Sequence, residues 1–406
     1  MISIFTVSHP LGIFPLPAGY LLLPPADGSE TPRAELLQGR LPPDLPPEWQ
    51  FFQAALTDDL DQALALLAAD LRPEARYNRF VLNATPEQYA TLLAEFEGEL
   101  RQLLDLVAYT LGYLPAPPGR GLARAERLAL ILMAQATHAL EHQQPAQAVS
   151  LLAEAVELAR PVSPVLAAQL LGTLADTKFA QGGPDWTIIQ DYQAAIKALE
   201  GSDLVESQAE LWLNLGIVYQ DLASDRRGPL LEAVKCYQQA LSVFTRRDHP
   251  ELYALAQNNL ALAYLSMPLQ EAGDQLRMGI AVQALREALK VYRRESHPEQ
   301  WASAQLNLAN AYQYLPSAHP EENLAQAVEL YEEVLATRHP QTDPLGYARV
   351  LANQGNALAH LGIFVHALPK LTEAQSLFAA YGDPEAARSI AQLLEQIPTG
   401  ASHGTA

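Results

Sequence analysis

The sequence predicts an all-α protein built from stacked helix pairs, and three observations support this fold class. The segments 249–268 and 297–316 spell nearly the same twenty residues, 48 positions apart. The composition is 49% hydrophobic and dominated by Ala and Leu, which favours helices. Apolar residues recur at helical spacing along much of the chain. Such self-similarity is typical of a solenoid of about six helix pairs, because one pair cannot cover its own apolar face.

Charge and cysteine content restrict the partners and the compartment that we expect. The formal net charge of −20 argues against nucleic acid and anionic membranes, which need a basic surface, and favours a partner with basic patches. The single cysteine, Cys236, fits a reducing compartment. The apolar N-terminus lacks a basic region and is interrupted by prolines, and no apolar run reaches about 18 residues. We therefore expect a soluble, cytoplasmic protein without a membrane span.

The first part of the chain is expected to differ from the repeats. Residues 1–48 are rich in proline and contain short β-prone pieces, which predicts an irregular arm or a small hairpin. Residues 49–118 have a helical pattern and are predicted to form an N-terminal helical module. Within it, Thr85, Pro86 and Glu87 mark a helix start. The simplest role of this module is to cap the exposed core edge of the first repeat.

Residues 121–397 carry the repeats, and residues 398–406 are predicted to form a disordered tail. First helices contain the related segments NLGIVY, NLALAY and NLANAY, and second helices contain AVKCYQQALSVF, AVQALREALKVY and AVELYEEVLATR. The small Ala and Gly positions let helices approach closely, and Leu and Tyr fill the gaps between them. Pro250 and Pro298, each preceded by histidine, suit a first helical position, where no amide donor is lost.

These segments resemble the tetratricopeptide repeat (TPR). The pattern W-x-N-L-G-x-x-Y followed by A-x-x-x-Y-x-x-A-L is matched by Trp212, Asn214, Leu215, Gly216, Tyr219, Ala233, Tyr237, Ala240 and Leu241. More narrowly, the long units with His-Pro steps resemble bacterial kinesin-light-chain-like repeats and the arrays attached to CHAT protease domains. The resemblance implies a right-handed TPR superhelix, in which the first helix of each pair lines a concave groove.

The resemblance also implies that asparagines line this groove. One repeated first-helix position holds asparagine four times, at 214, 259, 307 and 353, and further asparagines lie nearby on the same helices. An amide offers a donor and an acceptor, as an extended peptide backbone requires. Ala134 and Leu170 occupy the matching position in the first two repeats, so the groove is expected in the C-terminal four. With one basic residue from the last repeat, the predicted groove residues are Asn214, Asn258, Asn259, Asn307, Asn310, Asn353, Asn356 and Arg349.

The alternative for this series is structural, with the asparagines bonded to a neighbouring repeat or to water. Two histidine patterns also have structural explanations. The segment HALEH, His138 to His142, matches the H-x-x-E-H zinc-protease pattern, but it ends a first helix and no third ligand is evident. His249, His297 and His339 recur at turns between repeats and are interpreted as repeat boundaries. We expect no catalytic residue, no metal and no cofactor.

The sequence therefore predicts a non-catalytic scaffold that binds a segment of a protein partner in the concave groove. One alternative is an assembly or maturation factor for a multisubunit metalloenzyme such as a hydrogenase. It rests on residues 75–93 and 103–114, which resemble leader modules of bacterial TPR proteins from uptake-hydrogenase gene clusters. The other alternative is a metal-dependent hydrolase, for which HALEH is the lead.

Overall fold

The described part of the chain is helical throughout. In a computed structural model, the structure describes residue 14 and residues 17–224, 226–268, 274–317 and 319–397. These residues form α-helices and two short 3-10 helices, and no strand occurs among them. The predicted all-α fold class is confirmed. The predicted disordered tail, residues 398–406, lies outside the described residues. No helix in the described ranges is both long enough and apolar enough to cross a membrane.

The chain divides into two compact units, Met1–Leu222 and Ala223–Ala406. The helices of unit 1 are α1 (Glu30–Leu37), α2 (Gln50–Leu56), α3 (Leu60–Leu67), α4 (Pro73–Leu82), α5 (Pro86–Glu95), α6 (Gly98–Thr110), α7 (Ala125–Glu141), α8 (Pro145–Ala159), α9 (Pro164–Gly182), α10 (Trp186–Ala198) and α11 (Val205–Ala223). The boundary between the units falls at the end of α11, inside the predicted repeat region. The predicted domain limits at 48, 118 and 397 stay predictions.

The helices of unit 2 continue the same order. They are α12 (Arg227–Leu241), α13 (Pro250–Leu265), α14 (Asp274–Ala288), α15 (Pro298–Tyr314), α16 (Pro320–Leu335), α17 (Pro344–His360), α18 (Phe364–Ala380) and α19 (Pro384–Gln396). By sequence, the odd-numbered helices from α7 to α17 are first helices of repeats, and the even-numbered helices from α8 to α18 are second helices. Helix α19 follows the last repeat.

Successive helices pack against each other within each unit. In unit 1, α7 packs on α8, α8 on α9 and α9 on α10; in unit 2, every helix from α12 to α18 packs on the next. The first helix α15 also contacts the first helices before and after it, α13 and α17. Because short connections make packed neighbours antiparallel, this is a stack of helical hairpins sharing a core. The α-solenoid predicted from the repeat pattern is confirmed in both units.

One position of the second helices is buried in every repeat. It is four residues after the alanine or isoleucine that begins the second-helix motif, and its occupants are at most 1% exposed. They are Leu152, Tyr192, Tyr237, Leu285, Tyr331 and Leu371. Leucine and tyrosine both fill the core at this position, but a tyrosine also carries a hydroxyl that needs a hydrogen-bond partner.

The boundaries between repeats have the structure that the His-Pro steps predict. Pro250 and Pro298 are the first residues of α13 and α15, as expected. The preceding histidine rings pack on an aromatic ring five residues earlier: His249 on Phe244 with centroids 5.3 Å apart, and His297 on Tyr292 at 5.7 Å. These contacts fix the turn between one repeat and the next.

Within unit 1, helix α5 begins where the sequence predicts a helix start, and α4 binds part of the proline-rich segment. Thr85 and Gln88 form a capping box at the start of α5, with bonds of 3.2 and 3.1 Å. The N–H of Leu22 donates to Oδ1 of Asn78 at 2.7 Å, and Nδ2 of Asn78 donates back to the Leu22 carbonyl at 2.8 Å. Asn78 is buried in α4. Its side-chain amide provides hydrogen-bond partners for both main-chain groups of Leu22, which would otherwise be buried without partners.

Candidate peptide-binding cleft

A cleft of about 460 Å³ opens in unit 2 between first helices. Its lining comes from α13, α14, α15 and α17, and the described lining residues include none that is charged. The apolar ones are Leu262, Leu265, Met278 and Tyr314, and the polar ones are Ser266, Asn307, Asn310, Gln313 and Asn353. Apolar walls with a few convergent polar groups are typical of ligand-binding sites, and so is this volume.

Three of the eight residues predicted from the sequence line this cleft: Asn307, Asn310 and Asn353. Asn258 and Asn259 lie on α13 about one turn before Leu262, and Nδ2 of Asn258 donates to Oδ1 of Asn259 at 3.4 Å. Both are half-buried. They continue the polar surface of α13 beyond the cleft wall.

The other three predicted residues lie elsewhere. Arg349 and Asn356 are on α17, four residues before and three residues after Asn353, and neither lines the cleft. Arg349 is exposed and Asn356 is half-buried. Asn214 belongs to α11 in unit 1. The structure therefore brings together part of the predicted series, with a tyrosine, a methionine and a glutamine that the sequence analysis did not select.

A buried tyrosine holds two of the cleft amides in place. The hydroxyl of Tyr331, which lies on α16 and is 0% exposed, donates to Oδ1 of Asn310 at 2.7 Å and is 3.0 Å from Oε1 of Gln313. Nδ2 of Asn353 donates to the same Asn310 oxygen at 2.9 Å. Burial raises the pKa of Tyr331 well above its usual value, so the phenol stays protonated and remains a donor. The network links α15, α16 and α17.

This network leaves hydrogen-bonding groups of the cleft for a ligand. The Asn310 oxygen accepts two hydrogen bonds, but none is donated by its NH₂ group within the described part of the chain. Asn307 makes no hydrogen bond to any described residue. In the side-chain amide of Asn353, the oxygen Oδ1 and one of the two N–H groups also make no hydrogen bond to a described residue. The cleft can therefore offer both donors and acceptors without breaking an internal hydrogen bond.

The same arrangement occurs in unit 1 around a carboxylate. The hydroxyl of Tyr192 on α10 donates to Oδ1 of Asp176 on α9, and Nδ2 of Asn214 on α11 donates to that oxygen at 3.0 Å. Neighbouring protein atoms displace water from the carboxylate and raise the pKa of Asp176, although both hydrogen bonds act in the opposite direction. Asn214 therefore bonds to a residue of the neighbouring repeat, which is the structural role considered as an alternative for the asparagine series.

Sequence reasoning missed Asp176, Tyr192 and Tyr331. The two tyrosines occupy the same position of the second-helix motif. From this shared position, one could have predicted that each hydroxyl bonds to a polar residue on the preceding helix. Asp176 gives no such signal, because α9 lacks the Asn-Leu segment. Leu170, the matching residue by sequence, is 1% exposed and points into the core.

The segment HALEH ends α7 in unit 1. His138, Glu141 and His142 place one potential ligand atom each within 4.8 Å of one another. Within the described ranges this is a candidate metal-binding group. It belongs to a different compact unit from the cleft.

Stacked helical hairpins with one recurrent buried Leu or Tyr position define an α-solenoid. No protein-family model and no curated protein matches the sequence. Among solved structures, the chain is similar to MamA, with 20% identity, 51% of this chain and 95% of that chain covered, and a TM-score of 0.37. It is also similar to the TPR2AB domain of yeast Sti1 in complex with pHSP90, with 18% identity, coverages of 68% and 99%, and a TM-score of 0.27. Likenesses at this level assign neither an activity nor a partner. The narrower resemblance to kinesin-light-chain-like and CHAT-associated arrays stays a prediction.

Proposed function

We propose that the protein is a non-catalytic interaction scaffold, and that the cleft of unit 2 binds an extended segment of a partner protein. The observation that supports this proposal is the composition of the cleft. It combines carboxamides that have unused donors and acceptors with an apolar floor and an exposed aromatic ring at its edge.

The carboxamides suit the main chain of the partner. A peptide in extended form has alternating N–H and C=O groups, and a row of amides can pair with both. Asn307 offers a complete amide, Asn310 offers its NH₂ group, and Asn353 offers its carbonyl oxygen. Because Tyr331 fixes Asn310, and Asn353 donates to the same Asn310 oxygen, these two amides are held in position before the ligand arrives, which lowers the entropic cost of binding.

The apolar residues suit one side chain of the partner. Met278 is 3% exposed and lies beside Leu262 and Leu265. Methionine adapts its shape to different side chains, so this part of the cleft accepts an aliphatic or aromatic anchor. Tyr314 is 59% exposed, and aromatic residues of this kind often carry much of the affinity of an interface. The net charge of −20 favours a partner that is basic outside the bound segment.

A peptide selection tests the proposal. Random twelve-residue peptides (about this length spans the cleft generously) are displayed on phage and selected on the purified protein, and the dissociation constants of synthetic versions are measured by calorimetry. We expect peptides that share one large apolar residue. The double variant Asn307→Ala/Asn353→Ala is expected to bind them roughly thirtyfold more weakly, because each of the two lost hydrogen bonds contributes about 1 kcal/mol.

Gln326→Ala is the matched control for this variant. Gln326 is an exposed carboxamide on α16, outside the cleft. Its replacement should leave the dissociation constants unchanged. If no peptide is selected, or if the double variant binds the selected peptides as tightly as the wild type, the proposed role of the cleft is wrong.

A second pair of variants tests the aromatic edge. Tyr314→Ala should weaken the selected peptides by tenfold or more, because it removes an exposed contact surface without disturbing the core. Tyr381→Ala removes a tyrosine that is 55% exposed at the end of α18, outside the cleft, and should have no effect. Equal losses in both variants would indicate nonspecific binding to exposed aromatic rings.

A further inference from the structure

We propose that His138, Glu141 and His142 form a binding site for one divalent transition-metal ion, with zinc as the ion that fits the donor set best. The site is in unit 1, at the end of α7, and does not depend on the function proposed for the cleft. From the sequence, this segment is expected to hold no metal because a third ligand is missing. The side-chain geometry supplies that ligand.

The distances within the cluster match the size of a zinc ion with its ligands. One ligand atom from each residue lies within 4.8 Å of the other two, and Nδ1 of His138 is 4.0 Å from Oε2 of Glu141. Zinc binds imidazole nitrogen at about 2.0–2.1 Å and carboxylate oxygen at about 2.0–2.2 Å, so one ion spans such a gap. The Glu141 side chain is 61% exposed and can rotate to complete the geometry.

The two imidazoles are arranged as a pair of ligands. Their ring centroids are 4.1 Å apart, because residues four apart on a helix share one face. Nδ1 of His142 is 2.8 Å from the carbonyl oxygen of His138, to which it can donate its proton. That hydrogen bond leaves Nε2 of His142 with a lone pair, and a histidine held in this way by a carbonyl is the usual form of a metal ligand.

The environment of His138 favours an ion as well. Its Nδ1 atom is buried and has no hydrogen-bond partner among the described residues, which is uncommon for a buried polar atom. The hydroxyl of Tyr109 on α6 lies 3.5 Å from Oε2 of Glu141, and the Tyr109 ring packs edge-on against His138 with centroids 6.0 Å apart. These contacts place His138 and Glu141 beside α6. A bound ion would therefore strengthen the contact between α6 and α7.

The protein contains a similar pair that lacks one component of the site. His319 and Glu322 have the same three-residue spacing as His138 and Glu141, and Nδ1 of His319 is 3.8 Å from Oε1 of Glu322. Both side chains are about three-quarters exposed, at 74% and 75%, and no second histidine is near them in sequence. This pair is the internal control, because it offers one imidazole where the proposed site offers two.

Metal titration of the full-length protein, without a histidine tag and freed of metal by a chelator, tests the site. Calorimetry with zinc chloride should show one saturable site per chain. The His138→Ala/His142→Ala variant should lose it, and Glu141→Gln should weaken it by at least tenfold, whereas His319→Ala should bind as the wild type does. Zinc should also raise the melting temperature of the wild type but not of the double variant, because binding to the folded state stabilises it.

Two results would overturn the proposal. One is the absence of saturable zinc binding in the wild type. The other is binding of equal affinity in the wild type and the double histidine variant, which would place the ion elsewhere. His142→Ala alone provides the same test if the double variant does not fold, because His142 is exposed and its loss leaves the core intact.

Discussion

The two compact units contain the same three-residue hydrogen-bond arrangement built around different acceptors. In unit 1 the acceptor is the carboxylate of Asp176, which receives hydrogen bonds from Tyr192 and Asn214. The tyrosine lies on a second helix, the acceptor on the first helix before it, and the asparagine on the next first helix. One polar atom thus joins three consecutive helices.

In unit 2 the acceptor is the carboxamide of Asn310, which receives hydrogen bonds from Tyr331 and Asn353 in the same order along the chain. The comparison shows that a core position of the second helix can also organise the surface of the first helices. It also shows that the central residue decides the charge of that surface. A carboxylate makes it anionic, whereas a carboxamide keeps it neutral and adds donors, as a peptide main chain requires.

Among the variants that compare the two units, removal of the tyrosine hydroxyls should change the free energy of unfolding most. Tyr192→Phe is expected to lower the free energy of unfolding by about 2 kcal/mol, and Tyr331→Phe by about 1 kcal/mol, because a hydrogen bond to an ionised acceptor is stronger than one to an amide. Urea unfolding measures both, and hydrogen exchange at α10 and α16 locates the loss. A larger loss for Tyr331→Phe would mean that the charge of Asp176 does not strengthen its bond.

The repeat pattern predicted much of this architecture because the physics behind it is local. Proline at a first helical position, alanines at helical spacing and a recurrent large residue in the second helix are each visible within about twenty residues of sequence. The same pattern placed Asn307, Asn310 and Asn353 on first helices, where the structure has them. That they would share one cleft follows from stacking, which the period of the repeat implies.

The remaining site residues could not be predicted because they depend on contacts between distant segments. Asp176 meets Asn214 across 38 positions, and α9 carries no motif that fixes its register. The third ligand of the proposed metal site depends on a side-chain rotamer of Glu141, which spacing does not specify. In both cases the sequence shows a residue that can bond or bind, but it does not show which other residues that side chain meets.

Two glycines, one in each unit, allow the packing of the first helices to be compared. A methyl group added at Gly355 in α17 would lie 2.7 Å from Cγ of Leu371, which is 0% exposed and cannot move aside. One added at Gly172 in α9 would meet Cδ2 of Leu211, at 2.5 Å, the end of a flexible side chain. Alanine is favoured over glycine within a helix by about 1 kcal/mol, which offsets part of the strain.

Gly355→Ala is therefore expected to destabilise the protein by about 1 kcal/mol net, and Gly172→Ala to remain within about 0.5 kcal/mol of the wild type. Differential scanning calorimetry measures the difference. If Gly172→Ala is the more harmful variant, the first helices of unit 1 are packed more rigidly than the mobility of a leucine end group suggests.

Asp176→Asn is expected to have the smallest effect, and it converts the acceptor of unit 1 into that of unit 2. Displacement of water raises the pKa of Asp176 above its ordinary value of 3.8, so the folded state binds this proton more readily than the unfolded state. The carboxyl group then contributes stability that is fully present below pH 3.8 and is lost as the pH rises through the raised pKa. The amide variant has no such contribution at any pH.

The difference in unfolding free energy between wild type and Asp176→Asn should therefore decrease as the pH rises above 3.8 and become constant near neutral pH. Urea unfolding of both proteins at a series of pH values measures it. The opposite slope would show that the hydrogen bonds from Tyr192 and Asn214 outweigh the loss of water and hold the pKa of Asp176 down. In that case the carboxylate of unit 1 is built to stay charged, and the two units differ in charge throughout the acid range.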